Sequence, residues 1–189
     1  MGYAIADAAL ASGHEVVLIS GPVALTAPEG AYTVNVISAE EMFAAVEGQI
    51  GEGIDAAIFC AAVADYRPTN VADQKIKKGR ADQLTLTLDK TEDILGSARD
   101  KMGYDGLLIG FAAETQELEK HARNKLAAKK CDLVIANQVG NPSSGFDSND
   151  NELQLFFSDG HTENLERQSK TVLGEKLIEI IEKLNDAGA

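Results

Sequence analysis

Three short apolar runs set the pattern of this chain: AAIFCAAVAD at 56–65, LLIGFAAET at 107–115 and DLVIANQ at 132–138. Each is short for a globular helix, lacks an alternating polar face, and stops on small residues followed by polar ones. Such runs read as strands buried on both faces, which requires covering layers on each side of a parallel sheet. The segments between them carry helical spacing, so strand and helix alternate as in an open α/β domain.

The remaining elements fit that frame. Residues 1–12 read as a helix stopped by Gly13, 15–20 and 32–37 as strands, and 39–46 as a helix introduced by Ser38. Strands are expected at 55–64, 84–88, 106–112 and 132–136, and helices at 92–101 and 116–130. Residues 151–157 and 161–165 read as a hairpin around Ser158-Asp159-Gly160, and Thr171 as the cap of a last helix striped by Leu173, Leu177, Ile181 and Leu184. The expected fold is α/β: a Rossmann-like three-layer sandwich with a mostly parallel sheet and a C-terminal β-hairpin plus helix, in a single domain over 1–189. A doubly wound domain ordinarily opens on a strand whose turn into the first helix holds phosphate. Here residue 1 already falls in a helix, so the first strand and phosphate loop are expected upstream and the domain to be N-terminally incomplete. Gly2 would let that helix approach the sheet closely.

Thirty acidic against seventeen basic side chains give a net charge of -13. That charge repels nucleic acid and anionic membranes, so neither is an expected partner. No apolar stretch approaches the roughly 20 residues that span a bilayer, and no secretory or transit pattern opens the chain. Cys60 and Cys131 stand apart, outside any CxxC spacing, and read as buried free thiols of a reducing compartment, hence cytoplasmic.

Against that acidity two islands of positive charge stand out. Lys75, Lys77, Lys78 and Arg80 follow Asp65-Tyr66-Arg67-Pro68, and Lys125 and Lys129 are four apart on one helix face. Asp65 would lie just past the carboxyl edge of the sheet, where open α/β proteins place ligands. Ala61, Ala62, Gly110, Ala112 and Ala136 would leave room there for a flat ligand, and Phe111 could wall a ring. Plainer readings exist for each: small residues permit tight helix packing, lysines near a helix end suit its dipole, and Asp65 suits a turn. Together they suggest a polyphosphate cleft in which Asp65 holds Mg2+ or a ribose. His14, His121 and His161 sit in loop or exposed contexts and receive no catalytic role.

MGYAIADAAL, VVLISGPVAL, AAVADYRP, KIKK, GFAAET, IAN and SGFDSNDNEL, spread over essentially the whole chain, carry a family likeness. The chain resembles the phosphopantothenate–cysteine ligases of coenzyme A biosynthesis, in particular the bacterial CTP-using type often fused behind a flavin-dependent decarboxylase. The resemblance implies a ligase that joins 4′-phosphopantothenate and cysteine through an acyl-cytidylate, converting CTP to CMP and pyrophosphate. It implies that Phe59, Cys60, Ala61 and Asp65 line the nucleotide site, with Asp93, Ile94, Leu95, Phe111, Lys125 and Lys129 as further contacts. Lys75 takes the catalytic part, binding anionic oxygens in the first half-reaction. Mg2+ and a homodimer are implied, and FMN only in a fused decarboxylase domain outside these residues; the metal ligands stay unassigned.

The chain departs from the family pattern twice. Glu92 stands where a proline is usual, and the family's asparagine with its Ser-Ser-Gly-Lys stretch would fall upstream of Met1, so these residues alone are not expected to complete catalysis. Two other classes remain. A nicotinamide-dependent oxidoreductase would want an acidic residue after the second strand, where this chain has Ser20-Gly21-Pro22, and no Tyr-x-x-x-Lys occurs. A non-catalytic regulatory or assembly subunit would have no reason to retain both Asp65 and Lys75.

Overall fold

The computed structural model describes residues 1–77, 83–114, 116–138 and 149–188. Lys78 and Arg80 of the basic cluster, Thr115, and the first half of the SGFDSNDNEL stretch (144–148) lie outside the described residues.

A five-stranded sheet forms the centre, in the order β3 (Ala56–Phe59), β6 (Leu107–Glu114), β7 (Leu133–Gln138), β8 (Asp150–Phe157) and β9 (Thr162–Ser169). β3, β6 and β7 pair parallel, while β8 pairs antiparallel with both β7 and β9, so it alone of the five runs the other way. The parallel pair β1 (Val17–Ser20) and β2 (Tyr32–Asn35) bonds to no strand of that sheet among the described residues. A separate antiparallel ribbon joins β4 (Tyr66–Pro68) to β5 (Leu88–Lys90). The helices are α1 (Gly2–Ala11), α2 (Ala39–Ile50), α3 (Ile94–Asp100), α4 (Leu118–Lys129) and α5 (Lys170–Gly188).

Alternation along β6 sends side chains to two cores, as a doubly covered strand must. Ile109 joins Leu133, Ile135, Leu153, Leu155 and the α5 residues Leu173 and Leu177, together with Ile5 of α1. Leu108 and Ala112 point to the other face, with Ala98 of α3, Ala122 of α4, Val134 and Phe156. The three-layer α/β sandwich with a mostly parallel sheet read from the sequence is therefore observed. Gly174 lets α5 meet α1 closely: a Cβ there would stand 2.6 Å from the Ala4 carbonyl oxygen. Gly13 closes α1 at a φ of 90°, and the His14 N–H reaches the Ala9 carbonyl at 3.0 Å.

Local chemistry explains where boundaries move. Ser38 caps α2 by a full capping box with Glu41, and the helix runs on to Ile50 rather than 46. The strand expected at 55–64 ends at Phe59. That expected at 84–88 is bonded as β5 at 88–90, and its partner β4 was not anticipated, because Pro68 reads as a strand breaker. Thr171 is not the cap of α5: Ser169 Oγ accepts the Val172 N–H at 3.3 Å, so the helix starts directly from the end of β9.

Candidate nucleotide site

The carboxyl half of β6 meets the start of α3 and the last two turns of α4. Gly110 is the reason they can approach. A Cβ there would lie 3.0 Å from Leu95 Cδ2, 3.4 Å from Cys131 Sγ and 3.9 Å from Lys125 Cδ. The Lys125 stem thus passes over Gly110, and its ammonium donates to the Phe111 carbonyl at 2.7 Å. One turn on, Lys129 pairs with Asp93 Oδ2, while Asp93 Oδ1 accepts the Gly96 N–H at 2.9 Å and caps α3. Burial alone would raise the Asp93 carboxyl, but the Lys129 and Gly96 hydrogen bonds and the charges of Lys129 and Lys90 outweigh it and hold it below the usual carboxylate range. Ile94 is buried and Leu95 packs on the α3–α4 core. Five of the expected contacts (Asp93, Ile94, Leu95, Lys125 and Lys129) therefore sit in one neighbourhood.

The others divide. Phe59 packs into the same core, whereas the Phe111 ring lies against the opposite one, with α1 and α5; its carbonyl, not its ring, meets Lys125. Cys60 lies under the first turn of α1, where a Cβ on Gly2 would stand 3.6 Å from Cys60 Cβ. Desolvation raises its thiol above the ordinary range, against a smaller opposing pull from the Gly2 N–H. Ala61 is exposed. Asp65 stands six residues past the end of β3, at the root of the β4–β5 ribbon, where its carbonyl accepts the Thr91 N–H at 2.9 Å. Its side chain is exposed, as is that of Lys75, and no hydrogen bond or ion pair joins either to Lys125 or Lys129 among the described residues. Nor do the described residues gather three or more His, Cys, Asp or Glu side chains as a metal cage.

The sequence reading missed a clamp at the other end of the strands. Arg99 of α3 donates to the carbonyls of Tyr104 at 2.7 Å and Gly106 at 2.8 Å, and pairs with Asp132 at 2.7 Å. Asp132 also accepts the Leu108 N–H at 2.7 Å, so one carboxylate ties β6 and α3 to the start of β7. His121 pairs with Glu114 at 2.8 Å, joining α4 to the end of β6.

Open α/β sheets place their ligands in the crevice outside the carboxyl ends of their strands, and Gly110, Lys125 and Lys129 border that end of β6 here. Comparison with known proteins narrows the class. Residues 1–184 match the DNA/pantothenate metabolism flavoprotein C-terminal domain, and the chain belongs to that family. It is 45% identical over 185 residues to the coenzyme A biosynthesis bifunctional protein CoaBC of Vibrio parahaemolyticus, covering 97% of this chain and 46% of that protein. The Escherichia coli CoaBC is 42% identical over 183 residues, covering 96% of this chain and 45% of that protein. The chain thus spans about half the length of the curated relatives it matches. The crystal structure of a CoaBC C-terminal domain superposes with a TM-score of 0.78 at 34% identity, covering 97% of this chain and 82% of that one. A Cab2 mutant in complex with phosphopantothenate-cysteine shares the fold, with a TM-score of 0.64 at 16% identity over 84% of this chain and 54% of that one.

Proposed function

We propose that this chain is the ligase part of a coenzyme A biosynthesis protein, joining 4′-phosphopantothenate to cysteine at the expense of CTP. The observation that carries this is the meeting of Lys125, Lys129, the α3 start and the carboxyl half of β6 in a chain of net charge -13, in the family of the CoaBC C-terminal domains. In the first half-reaction a carboxylate oxygen of 4′-phosphopantothenate attacks the α-phosphorus of CTP. The bond to the bridging oxygen breaks, and pyrophosphate leaves with its electron pair. In the second, the cysteine amine attacks the acyl carbon, CMP departs, and the nitrogen loses a proton as the amide forms.

The pyrophosphate gains charge as it leaves, so fixed cations lower the barrier by matching that charge. Lys125 and Lys129 border the nucleotide, and Lys75, extended on an exposed segment, binds the phosphate oxygens of the first step. Both α4 lysines already hold protein oxygens, which fixes their positions before a ligand arrives. Phe59, Cys60, Ala61 and Asp65, with the α3 start at Asp93, Ile94 and Leu95 and with the Phe111 backbone, form the rest of the nucleotide surface. Asp65, an exposed carboxylate, would meet a Mg2+ ion held by the triphosphate, which would neutralise charge on the phosphate oxygens. The enzyme acts in the cytoplasm as a homodimer.

The test is Lys75→Gln in the intact protein. Losing a charge partner at a desolvated contact costs about 2–5 kcal/mol, which corresponds to roughly 30- to several-thousand-fold in rate. Pyrophosphate release from CTP and 4′-phosphopantothenate should fall by that factor. Release at the wild-type rate removes Lys75 from the mechanism.

A further inference from the structure

One parallel crossover in this fold is made without a helix. β1 and β2 run parallel, and residues 21–31 join them, eleven in all, with no helix among them. Such a connection ordinarily takes a dozen residues or more, folded as a helix that covers the strands. The bare loop leaves a cleft of about 420 Å3 at the carboxyl ends of β1 and β2, within the roughly 300–1,000 Å3 of small-molecule sites. That end of a parallel pair is where open α/β sheets take ligands. None of the residues of the nucleotide site lines it.

The lining is selective in its chemistry. Charged residues make up 25% of the chain, yet the eleven residues around the cleft carry no charge. An anion or a zwitterion would lose water there without gaining a partner among the described residues. The floor is polar. Ser20 is buried and gives its hydroxyl hydrogen to the Gly21 carbonyl at 3.0 Å. The Tyr3 O–H, 2.8 Å from Ser20 Oγ, is then the donor of that pair, which leaves the phenol oxygen able to accept. Asn35, exposed at the end of β2, offers both a donor and an acceptor. Thr33, on the same side of that strand, buries its hydroxyl without a hydrogen-bond partner, so polar capacity is left unfilled. The rim is apolar. Val23, Leu25 and Ile37 are 56%, 62% and 83% exposed, three aliphatic side chains around one opening rather than scattered singly.

We propose that this cleft is a second binding site, separate from the nucleotide site, for a small uncharged hydroxy-amide with a branched aliphatic body. A hydroxyl or amide N–H of such a molecule donates to Tyr3, its carbonyl accepts from Asn35, and its branch is covered by Val23, Leu25 and Ile37. Panthenol, which is uncharged and carries a branched body, hydroxyls and an amide, is the test ligand. Pantothenate is the same body ending in a carboxylate. The choice of these two rests on the coenzyme A reading; the site itself does not.

Isothermal titration calorimetry on the intact protein tests it without turnover. Panthenol should bind wild type in the millimolar range, pantothenate roughly tenfold more weakly or worse, and cytidine, uncharged but flat, not measurably. Saturating CTP or 4′-phosphopantothenate should leave panthenol binding unchanged, and so should Lys125→Ala. Ile37→Asp, at a residue too exposed to carry the fold, should remove panthenol binding. Tyr3→Phe should weaken it roughly 3- to 10-fold, with melting curves showing that both variants stay folded. Pantothenate or cytidine binding as tightly as panthenol overturns the ligand class. Displacement by CTP or 4′-phosphopantothenate, or loss in Lys125→Ala, puts panthenol in the reaction site and overturns the second one. No binding to folded wild type, or unchanged binding in both Ile37→Asp and Tyr3→Phe, overturns the cleft. If pyrophosphate release fails while panthenol binds as described, the ligase reading falls and this site stands.

Discussion

Removing the Arg99 side chain should cost more than removing any surface cation of this chain. The guanidinium makes three short hydrogen bonds, to Tyr104, Gly106 and Asp132, and a longer one of 3.4 Å to the Lys130 carbonyl. Its side chain is 18% exposed, whereas that of Asp132 is 35% exposed. In Arg99→Ala the two carbonyls lose their donor and Asp132 keeps only the Leu108 N–H. Breaking a fully buried pair costs about 3–5 kcal/mol; because water reaches Asp132, the lower end applies, about 3 kcal/mol. Arg99→Lys can restore one contact but not the fork, so about half the loss should remain. Urea unfolding, followed by far-ultraviolet circular dichroism with the m-value held constant between variants, reads these values directly. At about 2–4 °C per kcal/mol for a chain of this size, the melting temperature should drop by roughly 6–12 °C. The clamp lies at the amino ends of β6 and β7, so nucleotide affinity of the folded variant should be unchanged. An Arg99→Ala protein within about 1 kcal/mol of wild type would show that water replaces the fork at no cost, and the argument would fail.

Other outcomes follow from the same geometry. Lys125→Ala should raise the apparent KM for CTP in the intact protein with little change in kcat; the reverse pattern contradicts a binding role. Lys129→Ala should raise the Asp93 pKa in a carbon-detected NMR titration, since Lys129 heads the forces that lower it. The sign for stability follows: with its pKa depressed in the folded state, Asp93 contributes above its unfolded value and loses that contribution as pH falls through the folded one. Lys129→Ala should therefore flatten the acid side of the stability profile, and an unchanged profile refutes the pairing. Gly174→Ala should destabilise by about 1–3 kcal/mol or more, because the new methyl meets the Ala4 backbone and not a side chain that can swing away. A melting temperature equal to wild type would mean that α1 and α5 shift apart freely.

Fold and site were legible in the sequence to different depths. The buried strands were plain because β6 and β7 face a core on both sides, so no polar residue interrupts Leu107–Ala112 or Leu133–Ala136. The helix spacing of Lys125 and Lys129 placed both on one face, and they do meet the β6–α3 neighbourhood. What local pattern could not supply was long-range: Arg99 and Asp132 lie 33 residues apart and Lys129 and Asp93 lie 36 apart, with nothing in either neighbourhood to announce the partner. The β4–β5 ribbon was half seen, because its leucine alternation is a strand signal while Pro68 argues against one. The expected role of Phe111 as a ring wall came from residue type alone. Strand parity decides its direction, and parity sends the ring toward α1 and α5.

The face of the sheet that holds Ile109, Leu133, Ile135, Leu153 and Leu155 is closed by α5, the last element in chain order. During translation every strand of that sheet emerges before α5 does, with α1 as the only part of the described cover on that face already made. Until Leu173 and Leu177 clear the ribosome, a sticky apolar surface stays open to chaperones and to neighbouring nascent chains. That face of the sheet is therefore sealed only once α5 has been made.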